Sequence, residues 1–241
     1  MKLMTDSRLR ALVRLLDEEE KNLAIIREHL IKAGDAAMPY LDEATRSADQ
    51  LVRERAGQIL ARIRFAKLKE DFDRYAGLAD REMDLEKGAY MVAKYAYPDL
   101  DWRKYALELD RIATGIASEL RDEMYMEDVI DVINEHLFSR EGFRADSRRF
   151  YDPENSYINR VIDRRKGIPI TLSVVYLLIT NRLNLPFSGV AMPGHFVVRY
   201  DGPQETLWVD PYNDGAVLSR DDCEEFLRSM GYPALDEYLR P

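Results

Sequence analysis

The sequence predicts an α+β protein: a helical N-terminal domain over residues 1–138, then a domain over 139–241 with a buried central helix and an antiparallel sheet. Three observations carry this reading. Up to about residue 139, apolar residues recur at helical spacing with few glycines. Residues 170–183 are apolar nearly all round, as in a helix enclosed by a core. Beyond them, 187–191, 195–200 and 206–209 read as strands, the last two joined as a hairpin at Gly202-Pro203.

In the first half, Leu9, Leu12, Val13, Leu15 and Leu16 form one apolar stripe, and Leu23, Ile26 and Leu30 a second. Between Ala33 and Arg64, two short helices resemble a single HEAT-type repeat, with Ala37, Pro39 and Leu41 facing Val52, Ala56 and Leu60 around a turn at Ser47-Ala48-Asp49. Helices follow over 84–97, 102–120 and 126–138. Glu82, Asp84 and Glu86 read as a solvated face, and His29 and His136 lack the neighbours of a metal ligand. From Ser139 the chain turns polar and rich in Arg and Asp. It reads as a functional linker with a short helix near 156–164, and a closing helix is expected over 221–230.

With 241 residues, 46% hydrophobic and 33% charged, the chain has the composition of an ordinary globular protein with a proper core. A net charge of −9 argues against nonspecific nucleic-acid or anionic-lipid binding. No apolar run approaches the roughly 20 residues that span a bilayer. Charges at Lys2, Asp6, Arg8 and Arg10 argue against a secretory signal. A single cysteine, Cys223, allows no intrachain disulfide, so a cytoplasmic setting is the default expectation. No Gly-rich phosphate loop, CxxC or HExxH occurs, so neither cofactor nor metal is expected.

The chemistry-bearing order is Gly167-Ile168-Pro169 opening the central helix, Pro193-Gly194-His195 opening a strand, and Trp208-Val209-Asp210-Pro211 closing the next. With "NSYINRVIDRRKGIPITLSVVYLLITNRLNLP", "GVAMPGHFVVRY" and "WVDPYNDGAVLS", it resembles the SirB-type branch of the transglutaminase-like superfamily, whose core is papain-like. The likeness is close over about 139–230, and "YMVAKYAYPDLD" with the helical N-terminus resembles that family's accessory region. Many members continue into a tetratricopeptide array. This sequence ends at Pro241, so no function resting on such an array is expected of it.

The resemblance implies a cysteine at the start of the central helix, a histidine base on the next strand and an aspartate that orients it. His195 and Asp210 fall on the last two positions, whereas Pro169 stands where the cysteine belongs and Cys223 lies beyond the aspartate. Ser173, one turn or roughly 5–6 Å deeper on the same helical face, is the candidate surrogate; Thr171 points elsewhere, about 200° round the helix from Pro169. His195 reads equally as a ligand-polarising group at the lip of a groove behind Gly194 and as half of a structural His–Asp pair. A zinc site would need a third ligand. The resemblance also points to Asn155, Ser156, Tyr157, Asn159, Arg164 and Arg165 as groove-lining residues, while a loop pinned by its own turns explains them as well; Pro169, Thr171 and Gly194 complete the expected binding set.

Three functions fit. The first, and the one the missing cysteine supports, is a pseudoenzyme: a non-catalytic binding or regulatory module that holds a protein or peptide segment in the transglutaminase-like groove. The second is a hydrolase or acyltransferase using Ser173, His195 and Asp210. The third is a scaffold whose helices bind the partner. Neither partner identity nor oligomeric state is legible in the sequence.

Overall fold

The protein, seen in a computed structural model that describes residues 5–79, 82–203 and 205–241, begins as a run of helices. In the first part of the chain these are α1 (Asp6–Arg14), α2 (Glu20–Ala33), α3 (Met38–Ala44) and α4 (Gln50–Ala76). Asp49 caps α4 by accepting the Leu51 and Val52 N–H groups at 2.8 and 3.3 Å. Arg53 ties down the preceding turn through the carbonyls of Ser47 and Ala48, at 2.7 and 2.8 Å. Ala37, Leu41 and Ala44 then pack with Ala56, Ile59 and Leu60, closing one core with Leu9, Leu16, Leu23 and Leu30. The two-helix repeat expected between Ala33 and Arg64 is α3 and α4, with α4 running on to Ala76.

The remaining elements are α5 (Leu85–Ala96), α6 (Trp102–Ala117) and α7 (Met126–Asn134), then β1 (Arg144–Ala145), α8 (Ile158–Arg164), β2 (Lys166–Gly167) and α9 (Pro169–Arg182). They continue with β3 (Phe187–Met192), β4 (His195–Asp201), β5 (Thr206–Asp210), β6 (Ala216–Leu218) and α10 (Arg220–Ser229). A π-helical stretch, Glu135–Arg140, extends α7. β1 and β2 pair in parallel, and β3-β4-β5-β6 form an antiparallel sheet in that order.

Side chains alternate between the faces of a strand, so the pairing of Phe187 with Tyr200 and of Val190 with Val197 fixes two different surfaces. On one face Phe187, Val198, Tyr200 and Val209 join Leu172, Val175, Tyr176 and Leu177 of α9. On the other, Val190, Met192, Val197 and Trp208 join Cys223 and Leu227 of α10. The central helix and the closing helix therefore cover opposite sides of the sheet.

The chain divides into two compact units, Met1–Arg81 and Glu82–Pro241, and the boundary expected at 138/139 falls inside the second. The reason is the core. Helices α5 to α7 bury Tyr90, Tyr105, Leu109, Ile112, Ile130 and Ile133 in the cluster that holds α9 and the sheet. Residues 139–169 are not a linker either, because Phe143, Ile158, Val161 and Ile162 are buried in that same cluster. Glu82, Asp84 and Glu86 differ from a simple solvated face: Asp84 caps α5, and Glu86 pairs with Arg182 at 2.8 Å.

Tyr176 is fully buried, with its ring edge-on to Phe187 at 5.8 Å and its hydroxyl unpartnered among the described residues. Burial, with Asp131 adding to it, pushes its pKa far up, so the hydroxyl stays neutral. Replacing Tyr176 with phenylalanine removes an unmatched polar group at constant shape. The expected result, read from urea denaturation, is an unfolding free energy unchanged or raised by up to about 1 kcal/mol.

Candidate functional site

His195 opens β4 directly after the turn at Pro193-Gly194, where Gly194 adopts φ +77°, a conformation glycine takes at no steric cost. Asp210 closes β5 and caps the 3-10 turn Pro211–Asn213. Its Oδ1 accepts the N–H groups of Tyr212 and Asn213 at 3.0 and 3.4 Å. Its Oδ2 accepts from Asn213 Nδ2 and His195 Nε2, both at 2.7 Å. Burial alone would raise the Asp210 pKa. The hydrogen bond and charge of His195, the Asn213 amide and the Tyr212 N–H outweigh it and hold the carboxyl below its ordinary value. An ionised carboxylate only accepts, so the imidazole proton sits on Nε2 and Nδ1 is left for a ligand or solvent.

Aromatic rings enclose the pair. The imidazole lies 5.3 Å from Phe226 of α10 and 6.1 Å from Tyr212. Tyr212 meets Phe150 at 6.3 Å, and Phe150 meets Tyr151 at 5.2 Å. Phe150 and Tyr151 are exposed, as are Ile170 and Met230. The His195 side chain keeps 11% of its surface accessible and Asp210 5%. The pair is thus roofed at the sheet end by side chains whose outer members face solvent.

The helix that would carry a nucleophile has a different surrounding. Pro169 is buried in the first turn of α9, where its missing N–H costs nothing. Thr171 Oγ1 accepts the Ile168 N–H at 3.1 Å and donates to the Asn155 carbonyl at 2.8 Å, which locks the helix start to the preceding loop. Ser173 is fully buried and donates to the Phe196 carbonyl at 3.1 Å. Strand alternation places His195 and Asp210 with Val197 and Trp208, on the α10 side, whereas Val198 and Val209 face α9. Cys223 shares the α10 side but is fully buried; burial, with Asp222 and Asp210 adding, pushes its thiol up to about 11. It carries no thiolate at neutral pH.

The loop candidates serve the fold. Asn155 is fully buried and its amide donates to the Arg149 carbonyl at 2.7 Å, while Asn159 is buried nearby in sequence on α8. Ser156 is exposed, and Tyr157 meets Tyr97 edge-on at 5.6 Å. Arg164 reaches Asp146 at 2.9 Å and Glu154 at 3.2 Å. Arg165 donates to the Ile162 carbonyl and to Glu141, both at 2.9 Å, pairs with Glu108, and lies over the Phe143 ring. Of the expected binding residues, Gly194 adjoins His195, and the two arginines are engaged by the protein's own carboxylates. Tyr212, Asn213, Phe226 and Phe150 escaped the sequence reading. The Asp-Pro-Tyr-Asn turn could have signalled the first two; nothing local signals Phe226.

The arginine network has a pH signature. Glu108 is held down to about 2, first by the Arg111 hydrogen bond; burial opposes it and Arg165 reinforces it. A depressed carboxylate contributes its full stability above its unfolded pKa of about 4.3 and loses it as pH falls toward the folded value. Wild type is therefore expected to outlast Glu108→Gln in urea at pH 6, with the gap between midpoints closing from about pH 4 to pH 2. A gap that stays constant over that range would rule out the ionised pair as its source.

Among the described residues no helix is long and apolar enough to cross a membrane, and no three His, Cys, Asp or Glu side chains gather into a metal-binding group.

Comparison with known proteins agrees with the fold. A UPF0162 protein of Xylella fastidiosa strain 9a5c is 33% identical over 153 residues, covering 64% of this chain and 54% of its own length. Its counterpart in strain Temecula1 is 33% identical over 163 residues, covering 67% and 58%. F-box only protein 21 of Mus musculus is 25% identical over 199 residues, covering 70% of this chain and 32% of its own length. The chain thus spans a little over half the length of these UPF0162 relatives. No solved structure matches it. Residues 103–241, from the start of α6 through the sheet and α10, match the family described as the transglutaminase-like superfamily, and the chain belongs to that superfamily.

Proposed function

We propose that the protein is a non-catalytic, SirB-type member of the superfamily, in which the His195–Asp210 pair and the aromatic residues around it hold a peptide segment of a partner protein. The observation that carries this reading is the separation of the parts. The imidazole and carboxylate stand on the α10 side of the sheet, and the Ser173 hydroxyl gives its proton to the Phe196 carbonyl on the α9 side. A serine needs an adjacent base to become a nucleophile. The position at the start of α9 is a proline, and the one cysteine is buried and protonated. What remains suits recognition. A fixed imidazole offers one nitrogen, exposed aromatic and aliphatic side chains offer apolar area, and strand ends offer backbone groups. A regulatory role in the cytoplasm belongs to the same reading, supported by the single, unpaired cysteine.

The test is NMR titration of His195 in wild type and Asp210→Asn, each with and without a serine- or cysteine-directed acylating probe. The reading expects an imidazole that titrates, responds to Asp210→Asn and leaves the protein unlabelled. A covalent adduct on Ser173 that requires His195 would overturn it in favour of a hydrolase or acyltransferase.

A further inference from the structure

Beyond α10 the chain turns back on itself. Gly231 adopts φ +81° with nothing within 4 Å of where a Cβ would stand, and Pro233 follows. The next residues run back along α10, because Asp236 pairs with Arg220 in the first turn of that helix. This strap is thinly held. Of residues 231–241 only Leu239 is buried, and Ala234 and Tyr238 are half-buried. Leu239 enters the apolar layer that Val190, Met192, Val197, Trp208 and Cys223 form on the α10 side of the sheet. Its carbonyl accepts from Arg199 Nη1 at 2.8 Å. Other polar ties stay inside the strap: the Tyr238 N–H donates to the Leu235 carbonyl at 3.1 Å, and Arg240 approaches Asp236 at 3.7 Å.

A cavity of about 510 Å³ is bordered by Asp236 and Leu239 of the strap and by Arg199 and Trp208 of the sheet. The strap therefore spans open space and is not packed down along its length. One leucine, one carbonyl bond and one exposed ion pair must offset the conformational entropy of ordering the whole segment. A segment with so few buried apolar contacts opens more readily than the fold as a whole. Its seat stays behind when it does. The leucine pocket belongs to the sheet and α10, Arg199 to β4 and Arg220 to α10.

We infer that the groove between the sheet and α10 is a docking site for a segment with an acidic residue three places before a leucine, and that Asp236–Leu239 is its exchangeable resident, displaced by a partner segment of the same chemistry. Lifting the strap empties the leucine pocket, takes the Leu239 carbonyl from Arg199 Nη1 and leaves Arg220 with Glu224 alone. An incoming segment with the same spacing restores all three contacts. None of these residues belongs to the His195–Asp210 pair, so the groove stands independently of the reading of that surface.

Trp208 is the reporter. It is 5% exposed, and its indole N–H is buried with no acceptor among the described residues, so packing alone keeps solvent from it. Trp102, 46% exposed on α6, is the internal reference. Hydrogen exchange of both indoles is followed by 1H–15N NMR in the full chain. Leu239→Ala is expected to speed Trp208 exchange about tenfold or more, and Asp236→Asn, at an exposed position, about threefold, with Trp102 unchanged. In wild type the Trp208 rate is expected to respond only weakly to low urea, as a small local opening does. A synthetic peptide with the sequence of residues 232–241, added to the Leu239→Ala protein, is expected to slow Trp208 exchange saturably toward the wild-type rate. The same peptide with alanine in place of its leucine is expected to have no effect. If Leu239→Ala does not fold, Asp236→Asn carries both arms. A Trp208 rate that follows global unfolding at every urea concentration and ignores Asp236→Asn means that the strap does not open by itself, and overturns the proposal. So does equal protection by the two peptides, or protection by neither.

Discussion

Asp210→Ala is expected to destabilise the protein by about 3–5 kcal/mol, as does breaking a buried pair by removing one partner. The substitution takes the acceptor from four donors at once: His195 Nε2, Asn213 Nδ2 and the backbone N–H groups of Tyr212 and Asn213. Two of these are the cap of the turn that leads into β6, so the edge of the sheet loses its anchor along with the imidazole. Asp210→Asn keeps the cap oxygen and is expected to lose much less. Urea unfolding of the three proteins at pH 7 measures the difference. The sign with pH also follows. The folded-state pKa is lowered, so ionised Asp210 stabilises above its unfolded value of about 3.9, and that stability drains away as pH falls below it. An Asp210→Ala protein within about 1 kcal/mol of wild type would show that the buried pair is worth no more than an exposed one.

The second large effect is expected at Gly215, just beyond the same turn. A Cβ there would stand 2.1 Å from Asn134 Oδ1 and 2.4 Å from its Cγ, and the backbone holds φ at +79°. Alanine would meet both a clash and left-handed strain, the latter about 1–2 kcal/mol by itself. Asn134 cannot withdraw cheaply, because its Nδ2 donates to the Gly215 carbonyl at 2.8 Å. Gly215→Ala is therefore expected to cost about 3–5 kcal/mol. The mechanism has its own control. Asn134→Ala removes the obstructing side chain, so the double variant Asn134→Ala/Gly215→Ala should be more stable than the sum of the two singles allows. Strict additivity would mean that strain alone, and not the contact with Asn134, sets the cost.

Both positions show how unevenly this fold can be read from its residues. The apolar surround of 170–183, the alternation of 195–200 and the turn at Gly202-Pro203 are local signals, and they gave the central helix and three of the four strands of the sheet within a residue or so. β6 was missed because three residues between a tight turn and a helix cap are too few for a period to register. Phe143, Ile158, Val161 and Ile162 were hidden among charged neighbours, so a segment that belongs to the core read as a linker. The arginines beside them looked available for a ligand until the fold brought Glu108, Glu141 and Asp146 within reach.

By itself, then, the sequence determined the α+β class and the order of helix, histidine strand and aspartate strand. These are properties of neighbours along the chain. Only the tertiary structure decided which groups meet: that Asp210 binds His195 Nε2, that Ser173 turns to the Phe196 carbonyl, and that Phe226 roofs the imidazole. The physical reason is that a side chain's face of the sheet depends on strand register, and register is set by pairings between residues distant in sequence.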